Sequence, residues 1–353
     1  MAETAATAAT AATAATAAKV KKRSMLKHPL VRIGGSAAML ALLFTALPFA
    51  DIAAAIASVP LAVWPMALAA YLTLHLVGVV KWRMLVNTAG AGLSFRTAVR
   101  AYYMGLFGNT FLPSIVGGDV VRAGVALRAA RSKSGLVLGS LIDRLLDILG
   151  LAAVAGVGAL LSPRALDNQS RRIFLTLGAL LLAAGVGGVV ALLLIPVTRF
   201  PWKARRMMVQ VRRAIRATIQ RPRALVGAFL LGMALQTLLT MLNWWLGKVI
   251  GIDIPLYVWL FVWPLAKIAG LLPLTQNGIG VREAAQAALF APFGVSAARA
   301  VATGLVFEVV IISGGLLGGL IAFLLSRSGQ ERVALRASTH ATPEPVATEG
   351  HSA

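Results

Sequence analysis

Uncharged runs of 18 residues or more recur along this chain, among them Ile33–Ala50, Ile173–Thr198 and Ala224–Gly247. A bilayer core of about 30 Å is crossed by about 20 apolar residues in a helix. Such runs are read as helices because only helices and closed barrels satisfy their own backbone groups in lipid. A barrel would alternate polar and apolar residues over strands of about ten residues, and no such alternation is present. Composition agrees, since 13% of residues are charged where a soluble domain carries about 25%. The fold class expected is therefore all-α, a polytopic membrane protein with about six spanning helices.

Lysine and arginine number 34 against 12 acids, a formal charge of +22. In a membrane chain this excess belongs to cytoplasmic loops facing anionic headgroups. No nucleic-acid-binding module is visible, so no nucleic-acid partner is expected. The absence of cysteine excludes disulfides, thiol catalysis and cysteine-based metal sites.

Positive charge orients the chain. Residues 1–23 form an Ala/Thr-rich, then basic tail, read as disordered and cytoplasmic, ahead of a membrane domain over 24–327. The first apolar run exceeds a signal-peptide core and is read as an uncleaved helix. The Asp51–Pro60 connection lacks Lys and Arg and is placed outside. The second helix, about Leu61–Val80, is expected to end inside at Lys81 and Arg83. Further spans are expected over about 136–161, 173–195, 224–248 and 296–326. The linker 199–223 holds nine basic residues and no acid. Within it Met208, Val211, Ile215 and Ile219 share one helical face, and Arg205, Arg212, Arg213 and Arg216 the other, as in an interfacial helix. Residues 328–353 are polar and read as a disordered cytoplasmic tail.

Two apolar stretches, Thr97–Leu127 and Pro255–Phe293, are broken by Pro, Gly and charge. Their cores align: Leu112-Pro113 precedes Val121-Arg122 at the spacing at which Leu272-Pro273 precedes Val281-Arg282. The expected organisation is an inverted repeat, 61–161 and 224–326, each with a re-entrant helical hairpin. Interrupted segments in matching positions of two halves point to a transporter substrate site.

Proline breaks a helix and glycine lets a backbone approach a ligand closely. Half-helices starting after Gly118 and Gly280 would offer positive N-termini to an anion. Arg122 and Arg282 in their first turns suit phosphate. Charges at membrane depth suggest function by default, which singles out Asp119, Asp143, Arg144, Asp147, Lys267, Arg282, Glu283 and Glu308. Arg144 is within reach of Asp147 along one helix, and a structural ion-pair network is the competing reading. Glu308 needs a partner that the sequence does not name. His75 is read as a buried histidine, and Arg299 and Lys248 as snorkelling side chains. No nucleotide-binding, zinc or triad motif is present, so neither cofactor nor catalytic residue is expected.

The motifs together resemble the flippase-like integral-membrane domain of the lysylphosphatidylglycerol synthase family. The resemblance runs through Lys81-Trp82-Arg83, Gly108-Asn109 to Pro113, Gly117-Gly118-Asp119 to Arg122, Asp143-Arg144, and Asn277-Gly278 to Gly280, Arg282 and Glu283. It covers about Met25–Arg327. It implies a bacterial or archaeal cytoplasmic-membrane protein that flips a phospholipid or lipid-linked anionic headgroup between leaflets. The substrate-binding residues so expected are Asn109, Gly117, Gly118, Asp119, Arg122, Asp143, Arg144, Asn277, Gly278, Gly280, Arg282, Glu283 and Glu308. Some relatives add a cytoplasmic aminoacyl-transferase domain. None is expected here, since a polar tail follows Arg327. Stand-alone members are linked to glycolipid, polyprenyl or hopanoid pathways, so the lipid stays open. The alternatives are a membrane enzyme using Asp119 or Glu283 as base, or an accessory subunit of a lipid-synthesis enzyme. Association with a second copy also stays open.

Overall fold

The computed structural model describes residues 49–112, 117–161, 202–271 and 275–339, with scattered positions between 34 and 47. Among the described residues there are helices and no strand. In chain order they are α1 (Phe49–Ala57), α2 (Val63–Thr88), α3 (Phe95–Phe111), α4 (Gly117–Leu127), α5 (Lys133–Leu161), α6 (Trp202–Ile219), α7 (Pro222–Val249), α8 (Leu256–Ala269), α9 (Val281–Phe290) and α10 (Ala297–Thr339).

Four of these helices are long and apolar enough to cross a membrane: α2, α5, α7 and the Ala297–Ser326 part of α10. They match four of the six expected spans. The expected span at 173–195 and most of that at 33–50 lie outside the described residues, as do the tail 1–23 and the chain beyond 339. Two boundaries differ from expectation. Asp51 sits in the first turn of α1, so the connection expected over Asp51–Pro60 begins with a helix. The last helix runs on to Thr339, past Arg327.

Local chemistry sets the ends. Ser94 caps α3 by accepting from the Thr97 amide at 3.2 Å, a side-chain cap that replaces a missing helical partner. Pro222 opens α7 at a position whose N–H would be unpaired anyway. Asn87 closes the turn after α2: its Oδ1 accepts from the Leu93 amide at 2.6 Å and its Nδ2 donates to the Leu93 carbonyl at 3.0 Å.

Each interrupted stretch forms an antiparallel helical hairpin. In the first, Gly108 of α3 faces Val121 of α4, and Gly105 faces Arg122. In the second, Trp259 of α8 meets Phe290 of α9 with ring centroids 4.6 Å apart. The hairpins are exchanged between the halves. Helix α3 packs chiefly on α10, α8 packs on α5, and α2 and α7 pack on each other. Each hairpin thus rests on a long helix from the other part of the chain.

Small residues permit the close crossings that membrane helices need. Gly139 of α5 rests on the backbone of α2 at Val86, and Gly158 on the backbone of α8 at Phe261. Large apolar side chains point outward instead. Val226 and Leu230 on α7 and Leu316, Leu320 and Leu324 on α10 are exposed one turn apart, as lipid-facing rows are. Helix α6 packs against α5, α7 and α2. Its Ile215 is buried against them, while Arg205, Arg213, Arg216 and also Ile219 are exposed.

Candidate functional site

The charged residues picked out in the sequence converge on two buried clusters. The first is an alternating chain of six charges on α2, α4 and α5. Lys81 Nζ lies 2.6 Å from Asp147 Oδ1 and 2.9 Å from Asp143 Oδ1. Asp143 Oδ2 accepts from Arg122 Nη2 at 3.0 Å, and Arg122 Nη2 reaches Asp119 Oδ1 at 2.9 Å. Asp119 Oδ2 is 3.8 Å from Arg144 Nε. The Arg122 guanidinium also stands over the rings of Trp82 and Tyr102, at 4.8 and 5.4 Å from their centroids. Two carboxylates and two aromatic faces thus hold one cation, as a charge taken from water requires.

The second cluster is built on α9 and α10. Arg282 donates from Nε and Nη2 to Glu283 Oε1, at 3.1 and 2.8 Å. Its Nη2 also donates to Glu308 Oε2. The other oxygen of Glu283 accepts from the Gly280 amide at 2.6 Å. Gly280 takes φ +86°, a conformation that favours glycine. Glu283 therefore caps α9 and fixes Arg282 at once. Trp263 lies under the guanidinium at 5.3 Å. Glu308 has found the partner it needed.

Between the clusters lies a cavity of about 210 Å³. Each helix of spanning length lines it near its own midpoint: His75 of α2, Asp147 of α5, Gln236 of α7 and Ile311 of α10. Both hairpins reach it, through Asn109, Gly118, Asp119 and Arg122 from the first and Lys267, Gly270, Asn277 and Arg282 from the second. Its lining includes four cations (Arg122, Arg144, Lys267 and Arg282) and two carboxylates (Asp119 and Asp147).

Of the expected site residues, Asn109, Gly118, Asp119, Arg122, Arg144, Asn277 and Arg282 line this cavity. Asp143, Glu283 and Glu308 sit behind the arginines, almost wholly buried. Gly117 packs against Leu112, and Gly278, at φ +78°, against Gly270. Three details correct the sequence reading. Arg144 approaches Asp119 of the first hairpin, a contact between helices that the spacing along α5 does not show. Arg122 falls in the second turn of α4, which begins at Gly117. The half-helix amides at Gly118 and Gly280 are taken by Asn109 Oδ1, at 3.0 Å, and by Glu283.

Sequence reasoning missed Lys81 as a site residue. The sequence places it at a helix end, yet α2 continues to Thr88 and Lys81 is 1% exposed. The apolar residues after it, Met84 to Val86, are the signal that the helix goes on. Gln236 was missed because it is neutral within an apolar run. His75 is buried as expected, with Nδ1 3.4 Å from the Tyr102 hydroxyl, and it also lines the cavity. Among the described residues no cluster of His, Cys, Asp and Glu is arranged to hold a metal.

No curated protein matches the chain. The family model described as the lysylphosphatidylglycerol synthase TM region matches residues 30–319. With that match extending over most of its length, the chain belongs to this lipid-handling family of membrane proteins.

Proposed function

We propose that the chain moves a lipid with an anionic headgroup between the leaflets of a bacterial cytoplasmic membrane, with both termini on the cytoplasmic side. The observation that carries this reading is the cavity at the midpoints of all four spanning-length helices, lined by four cations and two carboxylates. A midplane site built where broken helices from two halves meet is the arrangement by which transporters give alternating access. The headgroup would sit in the cavity while its tails stay in lipid. The two hairpins would rock about it, each carried on a helix of the opposite half.

Translocation is preferred to chemistry on the lipid because the acids expected to serve as bases are occupied. Glu283 is fully buried with one oxygen on Gly280 and the other on Arg282. Asp119 divides its oxygens between Arg122 and Arg144. The reading therefore treats the chain as a carrier with no cofactor.

The test uses the purified chain in liposomes with a tail-labelled fluorescent phosphatidylglycerol and dithionite added outside. The expected result is rapid bleaching of the inner-leaflet pool, abolished by Ile148→Trp, which fills the cavity from α5. Bleaching no faster than in protein-free liposomes would overturn the reading, as would an Ile148→Trp variant as fast as the parent. Mass spectrometry of the recovered lipid should show it chemically unchanged, and a new lipid species would favour an enzyme.

A further inference from the structure

The four cations that line the cavity are not equivalent. Arg122 is shared by Asp119 and Asp143, Arg144 is 3.8 Å from Asp119, and Arg282 is shared by Glu283 and Glu308. Lys267 of α8 differs. No carboxylate of a described residue lies within 4.0 Å of its Nζ, which donates to the neutral Gln236 Oε1 at 2.9 Å. We propose that Lys267 is the residue that ligates the phosphodiester of the lipid held in this cavity. This rests on the lipid-handling reading of the site.

An ammonium has three donors. Gln236 accepts from one and so orients the side chain without cancelling its charge. A cation at membrane depth is costly until an opposite charge meets it, and here the bound lipid brings that charge. The arginines are poor alternatives. Arg122 and Arg282 are each already neutralised by two carboxylates, so a phosphate would gain less charge attraction there than at Lys267. Lysine also suits the task as a compact point charge that any two oxygens of a diester satisfy.

Asn277 supplies a second contact. It lines the same cavity from the tip of the second hairpin, and its side chain bonds to no described residue. Its backbone is held at φ +53° between Gln276 and Gly278. The hairpin alignment puts Phe107 where the second hairpin has Lys267, six residues before the aligned proline. Phe107 packs on Phe111, with ring centroids 4.8 Å apart. The two hairpins are therefore unequal, and the phosphate belongs on the side of the second.

Binding to the purified chain by calorimetry tests this with dihexanoyl phosphatidylglycerol, dihexanoylglycerol and inorganic phosphate as probes. The parent should prefer the phosphatidylglycerol over the uncharged dihexanoylglycerol by about tenfold or more. Lys267→Gln should abolish that preference, and Lys267→Arg should keep it to within about threefold. Because Lys267 lacks a carboxylate partner, Lys267→Gln should melt at or above the parent temperature. A retained preference in Lys267→Gln would overturn the proposal, and so would a melting temperature several degrees lower, which would mark the lysine as structural. Inorganic phosphate competing as well as the lipid would overturn the lipid source in favour of a free anion. These binding outcomes are separate from the bleaching assay, so a chain that binds but does not translocate would lose the carrier reading alone.

Discussion

Lys81 of α2 stands 2.9 Å from Asp143 of α5, their side chains 1% and 2% exposed. The same ammonium also bonds Asp147, so one lysine holds two acids of one helix against α2. Removing it leaves Asp147 without its ion pair and Asp143 with Arg122 alone. Lys81→Met should therefore lower stability by about 3–5 kcal/mol, the cost of breaking a buried pair. Denaturant titration in detergent measures it. Lys81→Met/Asp147→Leu should recover part of the loss. An unchanged midpoint for the single variant would remove the lysine from the framework.

The two glutamates around Arg282 should respond differently to amide substitution. Glu283 accepts from donors on both oxygens, Gly280 N–H on one and Arg282 on the other. Glu283→Gln must turn its NH2 toward one of these donors and should cost about 1–3 kcal/mol, as for a buried polar group left unpaired. Glu308→Gln keeps an oxygen for its donor, Arg282, and should cost less. Thermal unfolding of both variants in one detergent ranks them, and equal or reversed losses would count against the arrangement.

The first hairpin is open to a direct geometric check, because the chain has no cysteine of its own. A Cβ built on Gly108 lies 3.1 Å from that of Val121, and a small shift brings the pair to the separation of about 3.8 Å that a disulfide needs. Gly108→Cys/Val121→Cys should cross-link on mild oxidation. Mass spectrometry of the tryptic peptide 101–122, which holds both cysteines, should show it two hydrogens lighter and closed to alkylation, and free thiols persisting under oxidant would argue for a different register of α3 against α4.

Asn277 separates a backbone role from a side-chain role. At φ +53° an alanine carries a left-handed penalty of about 1–2 kcal/mol, whereas glycine does not. Asn277→Gly should fold like the parent while binding dihexanoyl phosphatidylglycerol less tightly. Asn277→Ala should be weakened in both respects. Comparable melting temperatures for the two variants would contradict the backbone assignment.

Much of this was legible in the chain because membranes impose simple rules. Apolar runs found α5, α7 and α10, and the matched Leu-Pro to Val-Arg spacing found both hairpins. Arg282 and Glu283 were legible together because they are adjacent and cap a helix after a glycine turn. The rest depends on which helices meet. Lys81 was misread because Lys-Trp-Arg after an apolar run mimics a membrane boundary. Glu308 pairs with a residue 26 positions away on another helix, a separation with no local periodicity. Helical spacing points Arg144 toward Asp147, and only the packing of the first hairpin on α5 adds Asp119. Lys267 was visible as a charge, while its lack of a carboxylate partner emerges only when α7 and α8 are placed side by side.

The exchange of hairpins between halves governs how the chain comes to be assembled. As synthesis proceeds from the N-terminus, α3 and α4 enter the membrane long before α10, the surface on which α3 comes to rest, has been made. Likewise α5 must wait for α8. The first half is thus inserted early yet finished late, with Thr110 and Leu106 facing lipid until Gly315 arrives against them. Ribosome arrest anywhere before residue 297 would leave an embedded intermediate whose first hairpin lacks its principal seat.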